Sequence, residues 1–163
     1  LILTDKVTTF SKRLAFLDDA QRASEQCFRN AKEVSIYLVS FSGVPHEDKT
    51  VFNLFLSESA KLIREMHRFT PLGRYSWNSI SLFGPNHPQH ESQQNASDLH
   101  HKLAHLLSQH NAAPFTEDLA VHGVGIVVQT HSQYSTPLVQ AYTDLEQLAE
   151  EAAEKSCVLR RNT

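Results

Sequence analysis

Apolar and small residues recur in alternating steps of three and four at both ends of this chain. Near the N-terminus they are Val7, Phe10, Leu14, Leu17, Gln21, Ser24, Phe28, Ala31, Ser35 and Leu38. Near the C-terminus they are Val121, Val124, Val128, His131, Ser135, Leu138, Tyr142, Leu145, Ala149 and Ala152. That spacing lays a stripe along one side of a helix, the seam by which a long helix packs against another. The polar entries weaken each stripe at its middle without removing it. The expected fold is all-α: an elongated antiparallel helical bundle of about four helices, with long first and last helices and one long irregular connection.

The first helix is expected to run from Asp5, a cap residue, to about Phe41, with a weak point at Asn30. Ser40, Ser42, Gly43 and Pro45 stop it. The second is expected over Asp48 to Arg68, with an apolar face of Phe52, Phe55, Leu56, Leu62, Ile63 and Met66, flanked by Val51 and Leu54. Acids at its start suit the helix dipole. From Thr70 to Gln94 the periodicity disappears, so 70–94 reads as the irregular connection, aromatic first and polar afterwards. The third helix is expected over Ser97 to His110 on the stripe Leu99, Leu103, Leu106 and Leu107. Thr116 can cap the fourth, and Pro137 should kink or restart it. Gly123 and Gly125 each weaken that helix by about 1 kcal/mol relative to Ala. Gly123 to Val128 also suits a short buried strand; with no partner strand in view, helix is the preferred reading.

A chain of 163 residues is enough for one domain, taken as 1–163. It starts at Leu1 rather than at a methionine, so a piece of a larger protein is expected. Its formal charge of −3, from 15 basic and 18 acidic residues, argues against nucleic acid as a partner and against an anionic membrane surface. No stretch approaches the roughly 20 apolar residues that cross a bilayer. Two cysteines, Cys27 and Cys157, are too few for a disulfide scaffold; they are expected to be too far apart to bridge, which suits a reducing, cytoplasmic setting. One glycosylation sequon, Asn95-Ala96-Ser97, carries little weight against that setting.

Motifs for chemistry are sparse. Ten histidines include the cluster His87, His90, His100, His101, His105 and His110. On a helix His101 and His105 point the same way and could supply two corners of a zinc site, with His90 or His110 as a third ligand. The Glu of a His-Glu-x-x-His motif is missing, and a solvated polar face beside the Leu99, Leu103 and Leu106 stripe is the preferred reading of the cluster. Cys27 falls on the stripe and reads as a structural thiol. There is no Gly-x-Ser-x-Gly elbow and no P-loop, and no cofactor is expected. Tyr75, Trp77 and Phe83 in the connection, with Tyr142 on the last helix, are the candidate contacts for a partner, because interface anchors favour aromatic residues. Plugging one end of the bundle is their plainer role. The expected function is therefore an intracellular protein–protein interaction domain of scaffold, adaptor or regulatory type. Its partner would be another protein or a second copy of itself, and it would not be an enzyme. The alternative is a histidine-rich metal-binding helical enzyme.

Overall fold

Residues 34–42 alternate rather than spiral. Val34, Ile36 and Leu38 face one way, and Tyr37, Val39 and Phe41 face the other. All six are buried. The computed structural model describes residues 3–44, 47–111, 121–133, 136–153 and 159–162. Its elements are β1 (Ser11–Lys12), α1 (Arg13–Arg29), β2 (Val34–Ser42), α2 (Thr50–Glu65), β3 (Leu72–Ser76), β4 (Ser79–Gly84), α3 (Gln89–Asn111), β5 (Gly123–His131), α4 (Leu138–Ala153) and β6 (Leu159–Asn162).

The strands form a six-stranded mixed sheet in the order β1-β3-β4-β2-β5-β6. β2 lies between β4 and β5 and is antiparallel to both. The inner run β2-α2-β3-β4-α3-β5 is a pair of interlocked split β-α-β units. The helices α2 and α3 cover the face that carries Tyr37, Val39 and Phe41. The helices α1 and α4 cover the face that carries Val34, Ile36 and Leu38. The result is three layers, with the sheet buried on both sides.

This architecture overturns the all-α bundle. The expected first helix, 5–41, is instead β1, α1 and β2. It breaks where Asn30 was the weak point: Ala31 takes a φ of +55°, and its N–H and that of Lys32 close back onto the carbonyls of Phe28 and Cys27 at 3.1 and 2.9 Å. Residues 123–131 are the strand that was set aside, and its missing partner is β2, paired from Val34↔His131 to Ser42↔Gly123. A strand covered on both faces is apolar at nearly every position, so steps of three and four can be picked out of it as easily as steps of two. The stripe marks a buried helix face along α4 and, in α1, only at Leu17 and Ser24. The irregular connection 70–94 is also ordered: it contains the β3–β4 hairpin and the first turns of α3.

Helix α2 matches its expected span closely, because its polar and apolar faces differ. Phe52, Phe55, Leu56, Ser59, Ala60 and Ile63 are buried along one side. The carboxylate of Asp48 starts it, accepting from the Thr50 N–H and hydroxyl at 2.9 and 2.7 Å. No helix among the described residues is long and apolar enough to cross a membrane. The Thr116 cap and Cys157 lie outside the described residues.

Candidate functional site

Where α2 ends, the chain turns sharply. Met66 and His67 close the last turn onto Ile63 and Arg64, and His67 takes a φ of +53°. The segment then joins β4, with the Thr70 N–H on the Phe83 carbonyl at 2.8 Å. Opposite, β4 ends at Gly84, and Pro85, Asn86 and His87 lead into α3. Between these two connections lies an open cleft of about 760 Å³. Its walls include Arg64, His67, Arg68, His87, Glu91 and Asn95.

The floor of the cleft is a buried polar network. The Tyr37 hydroxyl lies 2.9 Å from His87 Nδ1, and Phe69 sets its ring edge-on to both, with centroids 5.0 and 5.8 Å away. The His87 carbonyl accepts from Ser35 at 2.7 Å, and the chain continues through Thr130 to Ser92. Burial pushes the Tyr37 phenol up to about 12, so it stays protonated. Burial also holds His87 below the usual histidine range, against the opposing pull of Glu91 and a hydrogen bond to the Arg68 main chain.

Asn95 joins the floor to the wall. Its Oδ1 accepts from Arg68 Nη1 at 3.1 Å, and its Nδ2 lies 3.3 Å from His87 Nδ1. Arg68 also reaches Asp98 at 2.9 Å, which keeps that carboxyl below its usual range. Arg64 donates to the Thr9 hydroxyl at 3.1 Å and sits over the Phe10 ring. Two guanidiniums and two imidazoles thus border one cleft, which suits an anion with hydrogen-bonding edges.

Gly84 makes this packing possible. A Cβ built there would lie 2.2 Å from His87 Nδ1 and 2.6 Å from Cγ. Gly84→Ala is expected to push the ring off Tyr37 and to cost about 1–3 kcal/mol. Urea denaturation would show a lower midpoint at unchanged slope.

The residues singled out from the sequence fall elsewhere. Tyr75, Phe83 and Tyr142 are interior residues, 2%, 0% and 0% exposed, on the α1/α4 side of the sheet. Tyr142 donates to the Leu82 carbonyl at 2.7 Å and packs its ring 5.6 Å from that of Tyr75. Of the four aromatic candidates, Trp77 alone reaches the surface, at 41% exposed, with the Lys49 ammonium 4.6 Å from its ring. It occupies the tip of the β3–β4 hairpin. There Arg74 ties the Ser76 and Trp77 carbonyls to Asp5, at distances from 2.6 to 3.2 Å. His101 and His105 are exposed on α3. His110 contacts Glu58 instead of joining them. Among the described residues no three His, Cys, Asp or Glu side chains converge as metal ligands. Cys27 is a half-buried free thiol packed against the α1/α4 core. Sequence reasoning passed over Tyr37, Arg64 and Arg68, and valued His87 only as one of a cluster. Tyr37 and His87 stand 50 positions apart, and no local spacing joins them.

Neither a protein-family model nor a curated protein matches the sequence. Solved structures do match its fold. The GGDEF domain of FimX from Pseudomonas aeruginosa superposes with a TM-score of 0.73 at 19% identity, over 99% of this chain and all of that one (100%). The chain has the GGDEF-domain fold. The GGDEF domain of DgcB from Caulobacter crescentus, solved in complex with c-di-GMP, matches at a TM-score of 0.70 and 13% identity, over 96% of this chain and 92% of that one. The active GGEEF domain of a diguanylate cyclase from Vibrio cholerae matches at 0.67 and 14%, over 93% and 98%. The GGDEF fold replaces the helical scaffold or adaptor, and equally the helical metal enzyme, as the frame for function. The expectation of a non-enzymatic helical module falls with them, because solved chains of this fold include diguanylate cyclases.

Proposed function

We propose that this chain is a degenerate relative of the diguanylate cyclases that binds cyclic di-GMP in the arginine cleft between the end of α2 and the start of α3. The observation that carries the reading is that Arg64 and Arg68 both line one open cleft in a GGDEF fold. Cyclic di-GMP presents two phosphodiester anions and two guanines. Guanidiniums meet phosphodiesters with parallel charge-assisted hydrogen bonds. The Glu91 carboxylate and the Asn86 amide on the opposite wall suit the donor and acceptor edge of guanine.

The word degenerate rests on the sequence. The chain contains neither Gly-Gly-Asp-Glu-Phe nor Gly-Gly-Glu-Glu-Phe, and its glycines, at 43, 73, 84, 123 and 125, are never adjacent. Phosphoryl transfer of this type draws on carboxylates that hold metal ions against the reacting phosphates. The turn between β3 and β4 carries Ser76, Trp77, Asn78 and Ser79, with no carboxylate among them.

Two measurements test the reading. Calorimetric titration with cyclic di-GMP is expected to show saturable binding, and its absence would refute the ligand. Incubation with GTP and Mg²⁺, followed by chromatography, is expected to leave GTP uncyclised. Accumulation of cyclic di-GMP would refute the degeneracy.

A further inference from the structure

We propose that Asn95 is a proton-controlled tether on Arg68, so that the cleft binds its anionic ligand more tightly once His87 is protonated. The inference rests on the cyclic di-GMP reading for its ligand, but not for the switch itself.

The orientation of Asn95 follows from its partners. Arg68 offers only donors, so the atom facing it at 3.1 Å is Oδ1. The amide nitrogen therefore faces His87 Nδ1, at 3.3 Å. That ring nitrogen receives the Tyr37 hydroxyl as well, at 2.9 Å. Nδ1 is thus the acceptor and the ring proton sits on Nε2. The ring's hydrogen bond to the Arg68 main chain is then a donation to its carbonyl. In this state Nδ1 is the shared acceptor of Tyr37 and, at longer range, of Asn95, and Arg68 is held by Asn95 and Asp98 together.

Adding a proton to Nδ1 breaks that consistency. The Tyr37 oxygen can turn from donor to acceptor, because a hydroxyl does both. The amide nitrogen of Asn95 cannot. The Asn95 NH₂ then faces the new N–H, while Tyr37, which the Asn95 amide also reaches, loses Nδ1 as the acceptor of its own proton; a half-turn of the amide that brings Oδ1 toward His87 and Tyr37 relieves both. The same half-turn points the NH₂ group at Arg68, donor against donor, and Arg68 leaves Asn95. The charges facing His87 favour this outcome. Glu91 on α3 attracts the new cation, and Arg68, from the segment after α2, is repelled by it. Tyr37 on β2 stays neutral, and Gly84 on β4 contributes no charge. Arg68, released from Asn95 and held by Asp98 alone, can then turn toward a phosphate with a second positive charge behind it.

Phosphodiesters stay ionised throughout the range, so the ligand's charge is constant. Burial places the His87 transition below its ordinary value of 6.5, so affinity should rise as pH falls beneath that value. One released charge-assisted contact corresponds to roughly tenfold in affinity. Exposed His67 borders the same cleft, and the His67→Gln variant removes its imidazole from the comparison.

The first test uses the free protein. In ¹⁵N- and ¹³C-resolved NMR titrations from pH 8 to 5, the side-chain NH₂ signals of Asn95 are expected to shift with the midpoint of the His87 ring. Signals that stay still while His87 titrates would overturn the switch whatever the ligand. The second test titrates cyclic di-GMP into wild type, Asn95→Ala and His67→Gln at pH 7.5 and at a pH below the His87 midpoint found in the first test. Wild type and H67Q are expected to gain roughly tenfold on passing below that midpoint, while N95A binds at pH 7.5 nearly as tightly as wild type does below it. An N95A protein that keeps the full wild-type dependence would overturn the tether. NMR coupling without cyclic di-GMP binding would retain the switch and sink only the ligand.

Discussion

Changing Arg64 and Arg68 together to alanine is expected to weaken cyclic di-GMP binding by about a hundredfold. A hydrogen bond to a charged group contributes about 1.5–3 kcal/mol, and 1.4 kcal/mol is a factor of ten. Two such contacts would exceed a hundredfold if both guanidiniums began free. They do not: Arg68 must give up part of its hold on Asp98 and Asn95, and Arg64 its bond to Thr9. That exchange brings the expected loss down. The fold should tolerate the change. The Arg68–Asp98 pair is solvent-exposed, its side chains 40% and 33% accessible, and surface pairs of this kind contribute about 0–1 kcal/mol. Calorimetry with cyclic di-GMP, alongside a thermal melt, separates the two effects. Binding within threefold of wild type in a well-folded double variant would remove the cleft from consideration.

The largest expected effect on stability comes from the strand that a helical reading hides. Leu38 is fully buried in the centre of β2, beside Val127 on β5 and Ser81 on β4. Leu38→Ala is expected to cost about 2–5 kcal/mol, from lost transfer energy and the cavity left behind. Domains of this kind have about 5–15 kcal/mol in total, so the variant would be marginal. Leu14 shares the same three-and-four spacing, yet it is 76% exposed on α1. Leu14→Ala should fall within about 0.5 kcal/mol of wild type. Chemical denaturation of the two variants discriminates the architectures. Equal losses would match a helical seam that carries both residues, and a large loss at Leu38 alone matches a sheet buried between two helical layers.

The contrast between those two leucines shows why parts of this protein were legible and others were not. Helix α2, Thr50–Glu65, falls inside its expected span, and α4 begins one residue after Pro137, where a kink or restart was expected. Both are amphipathic, so solvent on one side and core on the other write a period into the chain. The break near Asn30 was visible as well. The strands β2 and β5 were misread because both of their faces are covered, by α1 and α4 on one side and α2 and α3 on the other. With no solvent face there is no alternation of polar and apolar residues to read. Tyr75, Phe83 and Tyr142 drew attention because interface anchors favour aromatic residues, and those rings serve the interior.

The cleft belongs to a different category. Arg64, Arg68, His87 and Asn95 are ordinary residues in the chain, at a helix end, in a loop and inside a glycosylation-type triplet. What the chain alone carried was local: which segments have two unlike faces, where proline, glycine and asparagine interrupt them, and the lack of a Gly-Gly pair. Tertiary structure decided the rest. The partners of β2, the two-sided burial of the sheet and the meeting of Tyr37 with His87 all join residues far apart along the backbone. Such contacts exist only once the layers close, because neither hydrogen-bond geometry nor the exclusion of water is encoded at any single position.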